Sequence, residues 1–275
     1  MSWMAVAKKD VRDAVRSRRL LSLIAIFVLF FAGASSFFVK VTSAYEVEDA
    51  NELAIILSLT TPTAIFLPTV GILSGYRSVV GERDSGSLKL LLSLPHTRTD
   101  VLCGKFIGRT TIVSVATLVG LVVSGGVIAA LGAPLPIVDF LLFALLALLL
   151  GAVFVSISVG LSAGLASENA VVAMGFGLVV LFTMVWDILN IVLALLLSYF
   201  EIGSEAFQSD IITFINAMNP RQAFYSAYTV VNSASQTGTV DTFWQQGWFG
   251  FVVLVLWLTL PLVFGYWRFA HAELS

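Results

Sequence analysis

The run 140-FLLFALLALLLGAVFVSISVGLSAGL-165 carries no charged residue over its whole length. A hydrocarbon core of about 30 Å is crossed by about 20 helical residues rising 1.5 Å each, so this run spans a bilayer once as a helix. Five more runs meet the same test: Leu20–Val39, Leu53–Tyr76, Phe106–Leu131, Ala170–Ser198 and Trp248–Trp267. None alternates with period two, which argues against a membrane barrel, and backbone groups in lipid must be satisfied internally. Composition agrees. The 275 residues are 58% hydrophobic and 12% charged, too little charge to clothe a water-facing surface of ordinary make-up. The reading is an all-α integral membrane protein with six transmembrane helices.

Charge placement orients the spans. Thirteen of the fifteen Lys and Arg residues precede the first span, lie between spans two and three, or follow the last; only Lys40 and Arg221 fall on the other side. Both termini are therefore expected in the cytoplasm, with the protein in the cell membrane. The outer segments are acidic, as ordinary positive-inside bias produces. The segment before the first span repeats Met4, Ala7, Val11 and Ala14 at helical steps with Lys and Arg on its other faces. Residues 1–19 are thus expected to form an amphipathic interfacial helix. Arg18-Arg19 before an apolar run resembles an export signal. The long basic region containing Asp10 and Asp13, and the apolar Phe37, Phe38 and Val39 beyond Ala32-Gly33-Ala34, speak against cleavage.

Pro62, Pro68 and Gly71 sit inside the second span. They shape a cavity or merely kink a packing helix; both readings stay open. Residues 199–247 form a long outer segment holding two apolar groups, divided at Asn219-Pro220. Two short amphipathic outer helices joined at that dipeptide follow, either dipping into the outer leaflet or capping the spans.

Candidate chemistry is sparse. Cys103 is the sole cysteine, His96 and His271 are far apart, and no metal-ligand spacing occurs. No nucleophile–base pair and no phosphate-binding G-x-x-x-x-G-K-[ST] loop is present, so no catalytic residue is expected in this chain, nor any nucleic-acid partner. Asp187, with Asn190 three residues on, is the one ionisable residue well inside a span and is a possible intramembrane polar site. Counting about 20 residues from Ala170 brings the outer boundary near Leu189, which places Asp187 near the outer surface rather than at mid-membrane. Glu168 is expected to cap the fifth helix.

The most informative stretch lies between spans two and three: 75-GYRSVVGERDSGSLKLLLSLPHTRTDVLCGKFIGR-109. Its Ser87–Leu94 block is mostly apolar, follows Glu82-Arg83-Asp84, is stopped by Pro95, and has Ser85 or Ser87 as a helix cap. An apolar helix exposed to cytoplasm makes sense when it docks on another protein. The run Gly81–Pro95, followed by Arg98, Leu102, Gly104 and Lys105, resembles the signature of ABC-type-two exporter permeases. The branch indicated includes the nitrous-oxide-reductase maturation permease. Lys9-Asp10-Val11-Arg12-Asp13 and the Asn-Pro dipeptide are similar to that branch too, and the resemblance covers the chain as one permease domain, 1–275. Ser87 stands where threonine is more usual, and His96-Thr97 is unusual after the proline.

The resemblance implies a cytoplasmic coupling helix within residues 77–105 that docks on a separate ATP-binding subunit. Two permeases, identical or related, and two ATPases would form the working unit. ATP and Mg would lie on the partner, with no cofactor in this chain. Glu82, Arg83, Asp84, Gly86, Ser87, Leu88 and Leu91 carry over as the docking region. Gly86 would allow a tight turn, and Leu88 and Leu91 would share the docking face. The implied function is the permease subunit of an ATP-driven exporter. Two alternatives remain: a secondary transporter without an ATPase, and an ATPase-coupled scaffold or mechanotransmitter acting on an extracellular partner. The substrate is not readable.

Overall fold

The computed structural model describes residues 3–44, 52–88, 97–231 and 242–271, and its regular elements are all helical among them. They are α1 (Trp3–Arg16), α2 (Arg19–Ala44), α3 (Glu52–Gly75), α4 (Val80–Asp84), α5 (Arg98–Ala130) and α6 (Ile137–Gly164). Then follow α7 (Glu168–Val180), α8 (Trp186–Tyr199), α9 (Glu205–Ala217), α10 (Pro220–Val231) and α11 (Gly247–His271). A π-helical turn, Leu181–Val185, joins α7 and α8 into one rod. Six helices are long and apolar enough to cross a membrane: α2, α3, α5, α6, the α7–α8 rod and α11.

The third span differs from its expected limits. Helix α5 begins at Arg98, eight residues before the apolar run, because Thr97 and Asp100 form a capping box. The Asp100 amide donates to Thr97 Oγ1 at 3.1 Å, and the Thr97 amide donates to the Asp100 carboxylate at 3.0 Å. At 33 residues α5 is about 50 Å long, so it projects beyond a bilayer core on the side rich in Lys and Arg, hereafter the basic end. Helix α3 runs unbroken through Pro62 and Pro68.

Helix α6 is the hub. From Phe143 to Gly164 most of its residues are buried, by α3, α5 and α11. Lipid is as apolar as leucine, so close packing and polar contacts hold such a bundle rather than the hydrophobic effect. Ser156 donates to the Leu258 carbonyl of α11 (2.6 Å) and Ser158 to the Ile72 carbonyl of α3 (2.7 Å). Gly160 and Gly265 let α6 and α11 touch backbone to backbone; a Cβ on either would strike the opposite helix.

At the opposite end α9 and α10 form a hairpin that enters the bundle. The Asn219 side-chain amide donates to the Phe182 carbonyl (2.9 Å), and the Trp257 indole donates to the Met218 carbonyl (3.0 Å). Phe182 is fourteen residues along the α7–α8 rod, about 21 Å from its start, and Trp257 is ten residues into α11, about 15 Å. The Asn-Pro tip is thus inside the thickness of the spans, so the hairpin dips rather than caps.

Candidate coupling site at the basic end

Helix α4 is fixed from three directions. The amides of Val79 and Val80 donate to Ser162 Oγ at 3.0 and 3.1 Å, so a serine of α6 caps a helix some eighty residues earlier in the chain. The Arg83 guanidinium donates to the carbonyls of Leu165 (3.0 Å) and Ala163 (3.3 Å), at the open C-terminal end of α6, where a cation suits the helix dipole. Glu82 takes the third contact, its carboxylate 2.6 Å from Lys105 Nζ.

Lys105 joins α4 to α1. It lies 3.0 Å from the Asp10 carboxylate, which also pairs with Arg109 at 2.7 Å. Two cations thus meet two carboxylates, all four largely buried. Helix α1 reaches this position because Gly104 and Gly108 present bare backbone on α5; a Cβ at Gly104 would press on Val6, and one at Gly108 on Asp10. This revises the expected stripe of α1. Ala7 and Ala14 pack inward with Val6 and Asp10, while Met4 is exposed. Neighbouring helix ends are tied similarly: Arg98 donates to the Phe269 and Ala270 carbonyls of α11 and stacks over the Phe269 ring.

The expected docking residues therefore divide. Glu82 and Arg83 face this chain's own helices, and Leu88, expected on a docking face, is 1% exposed and belongs to the core. Asp84, Ser85 and Gly86 are exposed, and Ser87 is half-buried with its hydroxyl 3.0 Å from that of Ser85. Gly86 adopts φ +72°, a left-handed turn that glycine takes without strain, with open space around it. Ser87 and Leu88 are helical again. Leu91 lies outside the described residues.

Asp187 and Asn190 serve the hairpin. Both Asp187 oxygens accept from Arg221 of α10 (3.1 and 2.9 Å), and Asn190 donates to Asn216 at 3.4 Å. Arg221 also donates to the Thr183 carbonyl (3.2 Å). The π-turn breaks the regular ladder at Leu181–Val185, and Asn219 and Arg221 take up two of its carbonyls. Asp187 is nineteen residues from the start of α7, about 29 Å, and its side chain is 59% exposed. Glu168 is not the cap of α7; Ser167 is, accepting from the Ala170 amide, while Glu168 pairs with Arg77 at 3.1 Å. No group of three or more metal-ligating side chains occurs among the described residues.

The fold is that of a six-span helical membrane protein with a charged, internally braced turn at its basic end. Residues 4–274 match the model of the ABC-2 family transporter proteins: the chain belongs to that family. It is similar to the probable ABC transporter permease protein NosY of Pseudomonas aeruginosa, 31% identical over 190 residues, covering 66% of this chain and 67% of that one. NosY of Stutzerimonas stutzeri is 27% identical over 223 residues, covering 80% and 78%. The chain is accordingly a multi-pass membrane subunit of an ABC transporter, a family in which an ATP-binding subunit is the partner.

Proposed function

We propose that the basic end faces the cytoplasm and that the turn Asp84–Gly86, with the segment following it, receives an ATP-binding subunit. In this reading two permease copies and two ATPases form an exporter. The ATPase hydrolyses ATP with its Mg, and this chain contributes no catalytic group. The supporting observation is the exposure of Asp84, Ser85 and Gly86 at the end of a helix whose other residues are locked to α6 and α5, and through Lys105 to α1. Motion imposed on an unbraced loop would dissipate. Motion imposed on α4 passes to α6 through Ser162 and Arg83, to α5 through Glu82, and from there to α1 through the Lys105–Asp10 pair. The excess of Lys and Arg at this end supports the orientation.

Charge reversal at the exposed turn tests the docking: Asp84→Arg with Ser85→Trp leaves the braced residues untouched. The variant is expected to remain folded and lose co-purification of the ATP-binding subunit. Retained co-purification would refute the assignment. Orientation is read separately from Cys103, which is exposed. A membrane-impermeant maleimide should label it in inverted vesicles and not in right-side-out ones.

A further inference from the structure

We infer that a cavity beside α1 is a binding site for one anionic phospholipid of the leaflet at the basic end. The cavity, about 720 Å³, opens between the α1–α2 elbow, the last turns of α3 and the start of the apolar part of α5. That volume is within the ordinary range for ligand sites, roughly 300–1,000 Å³. Its lining is divided by chemistry. Arg19, Arg77 and Arg109 line it together with the hydroxyls of Ser17 and Ser22, and among the described residues no carboxylate does. Leu23, Ile26, Phe66 and Leu73 supply an apolar wall.

The division follows depth. Ile26 is seven residues, about 10 Å, along α2 from Arg19, and Phe66 is nine residues, about 14 Å, along α3 from its end at Gly75. A leaflet's hydrocarbon half is about 15 Å thick. The cavity therefore has a cationic mouth where headgroups lie and an apolar wall where acyl chains lie, the arrangement by which basic pockets between spans hold anionic headgroups. Of the three arginines, Arg109 is neutralised by Asp10, and Arg77 pairs with Glu168 through one nitrogen while 59% of its side chain stays exposed. Arg19 has no carboxylate partner among the described residues and is exposed. A phosphate at the mouth meets the uncompensated charge of Arg19 and the exposed remaining guanidinium nitrogens of Arg77. Gly81 of α4 lines the same cavity, so the lipid would brace the proposed coupling turn; only that consequence, and the naming of the leaflet as cytoplasmic, rest on the proposed function.

The test is native mass spectrometry of the intact permease–ATPase complex released from nanodiscs of phosphatidylglycerol, or of phosphatidylcholine alone. From phosphatidylglycerol each permease chain is expected to retain one lipid; from phosphatidylcholine, none. Arg19→Gln should weaken retention on the order of tenfold, the loss of one charge contact. Ile26→Trp with Leu73→Trp should abolish it by filling the wall, with the complex still assembled. Equal retention of both lipids, retention unaffected by the tryptophans, or displacement by inorganic phosphate alone would overturn the inference. So would a crosslink between two permease chains through Ile26→Cys, which would show a second copy in the groove. Failure of the Cys103 labelling pattern would reverse the orientation and leave this result standing.

Discussion

Lys105 of α5 and Asp10 of α1 form an ion pair at 3.0 Å with both side chains only 5% exposed. Removing Lys105 leaves Asp10 with Arg109 but strands the largely buried Glu82 carboxylate, and an uncompensated buried charge costs about 3–5 kcal/mol. Lys105→Met should therefore lower the thermal midpoint of the detergent-solubilised protein and expose α1 to protease. Asp10→Asn with Lys105→Met should cost less than the sum of the single changes. Additive costs would mean that the pair does not couple α1 to α5.

The glycine contact that seats α1 makes a steric prediction. Gly108→Val should push α1 off α5 by striking Asp10, whereas Gly126→Val, where nothing lies within 4 Å, should be tolerated. Overpacking at such contacts costs about 1–3 kcal/mol. Thermal midpoints of the two variants check this, and equal values would contradict the packing described.

Ser162→Ala removes the side-chain cap of α4 and should cost about 1 kcal/mol. Its larger effect should be on the exposed turn Asp84–Gly86, since α4 is only five residues long. Cleavage by a protease at Arg83 should rise while the spans stay intact. An unchanged digestion pattern would show that Arg83 and Glu82 hold α4 alone.

At the hairpin, burial separates two polar residues. Asn219 is 1% exposed, and Asn219→Ala would leave the Phe182 carbonyl unpaired, a cost of about 1–3 kcal/mol. The Asp187–Arg221 pair is exposed on the Asp187 side near the outer end of its span, and exposed pairs contribute about 0–1 kcal/mol. Asp187→Ala should thus leave assembly and transport near wild type. Abolished transport with normal assembly would make Asp187 a transport residue.

The spans were legible because length and apolarity suffice to define them, and 140–165 is the clearest case. The early start of α5 was less visible: Arg98, Asp100 and Lys105 read as loop charges, although Thr97-x-x-Asp100 is a helix-start signature. Glu82, Arg83 and Asp84 look alike in sequence as a charged run. Only the fold separates them, because the partners of the first two, Lys105 and the end of α6, come later in the chain. Asp10 carried a faint signal as an acid within a basic helix, and its partner sits at the foot of a span ninety-five residues on. The π-turn has no sequence signature. Asn219 and Arg221, which satisfy it, were visible only as an Asn-Pro break and one stray outer arginine.

If Asp84–Gly86 is the surface through which the ATP-binding subunit acts, a thiol placed there must lie against that subunit. The direct measurement is site-specific crosslinking from Ser85→Cys in a Cys103→Ser background, in the assembled complex. A covalent permease–ATPase product should form, and the introduced thiol should be protected from maleimide. Free labelling of that thiol in the assembled complex, with no crosslinked product, would contradict the assignment.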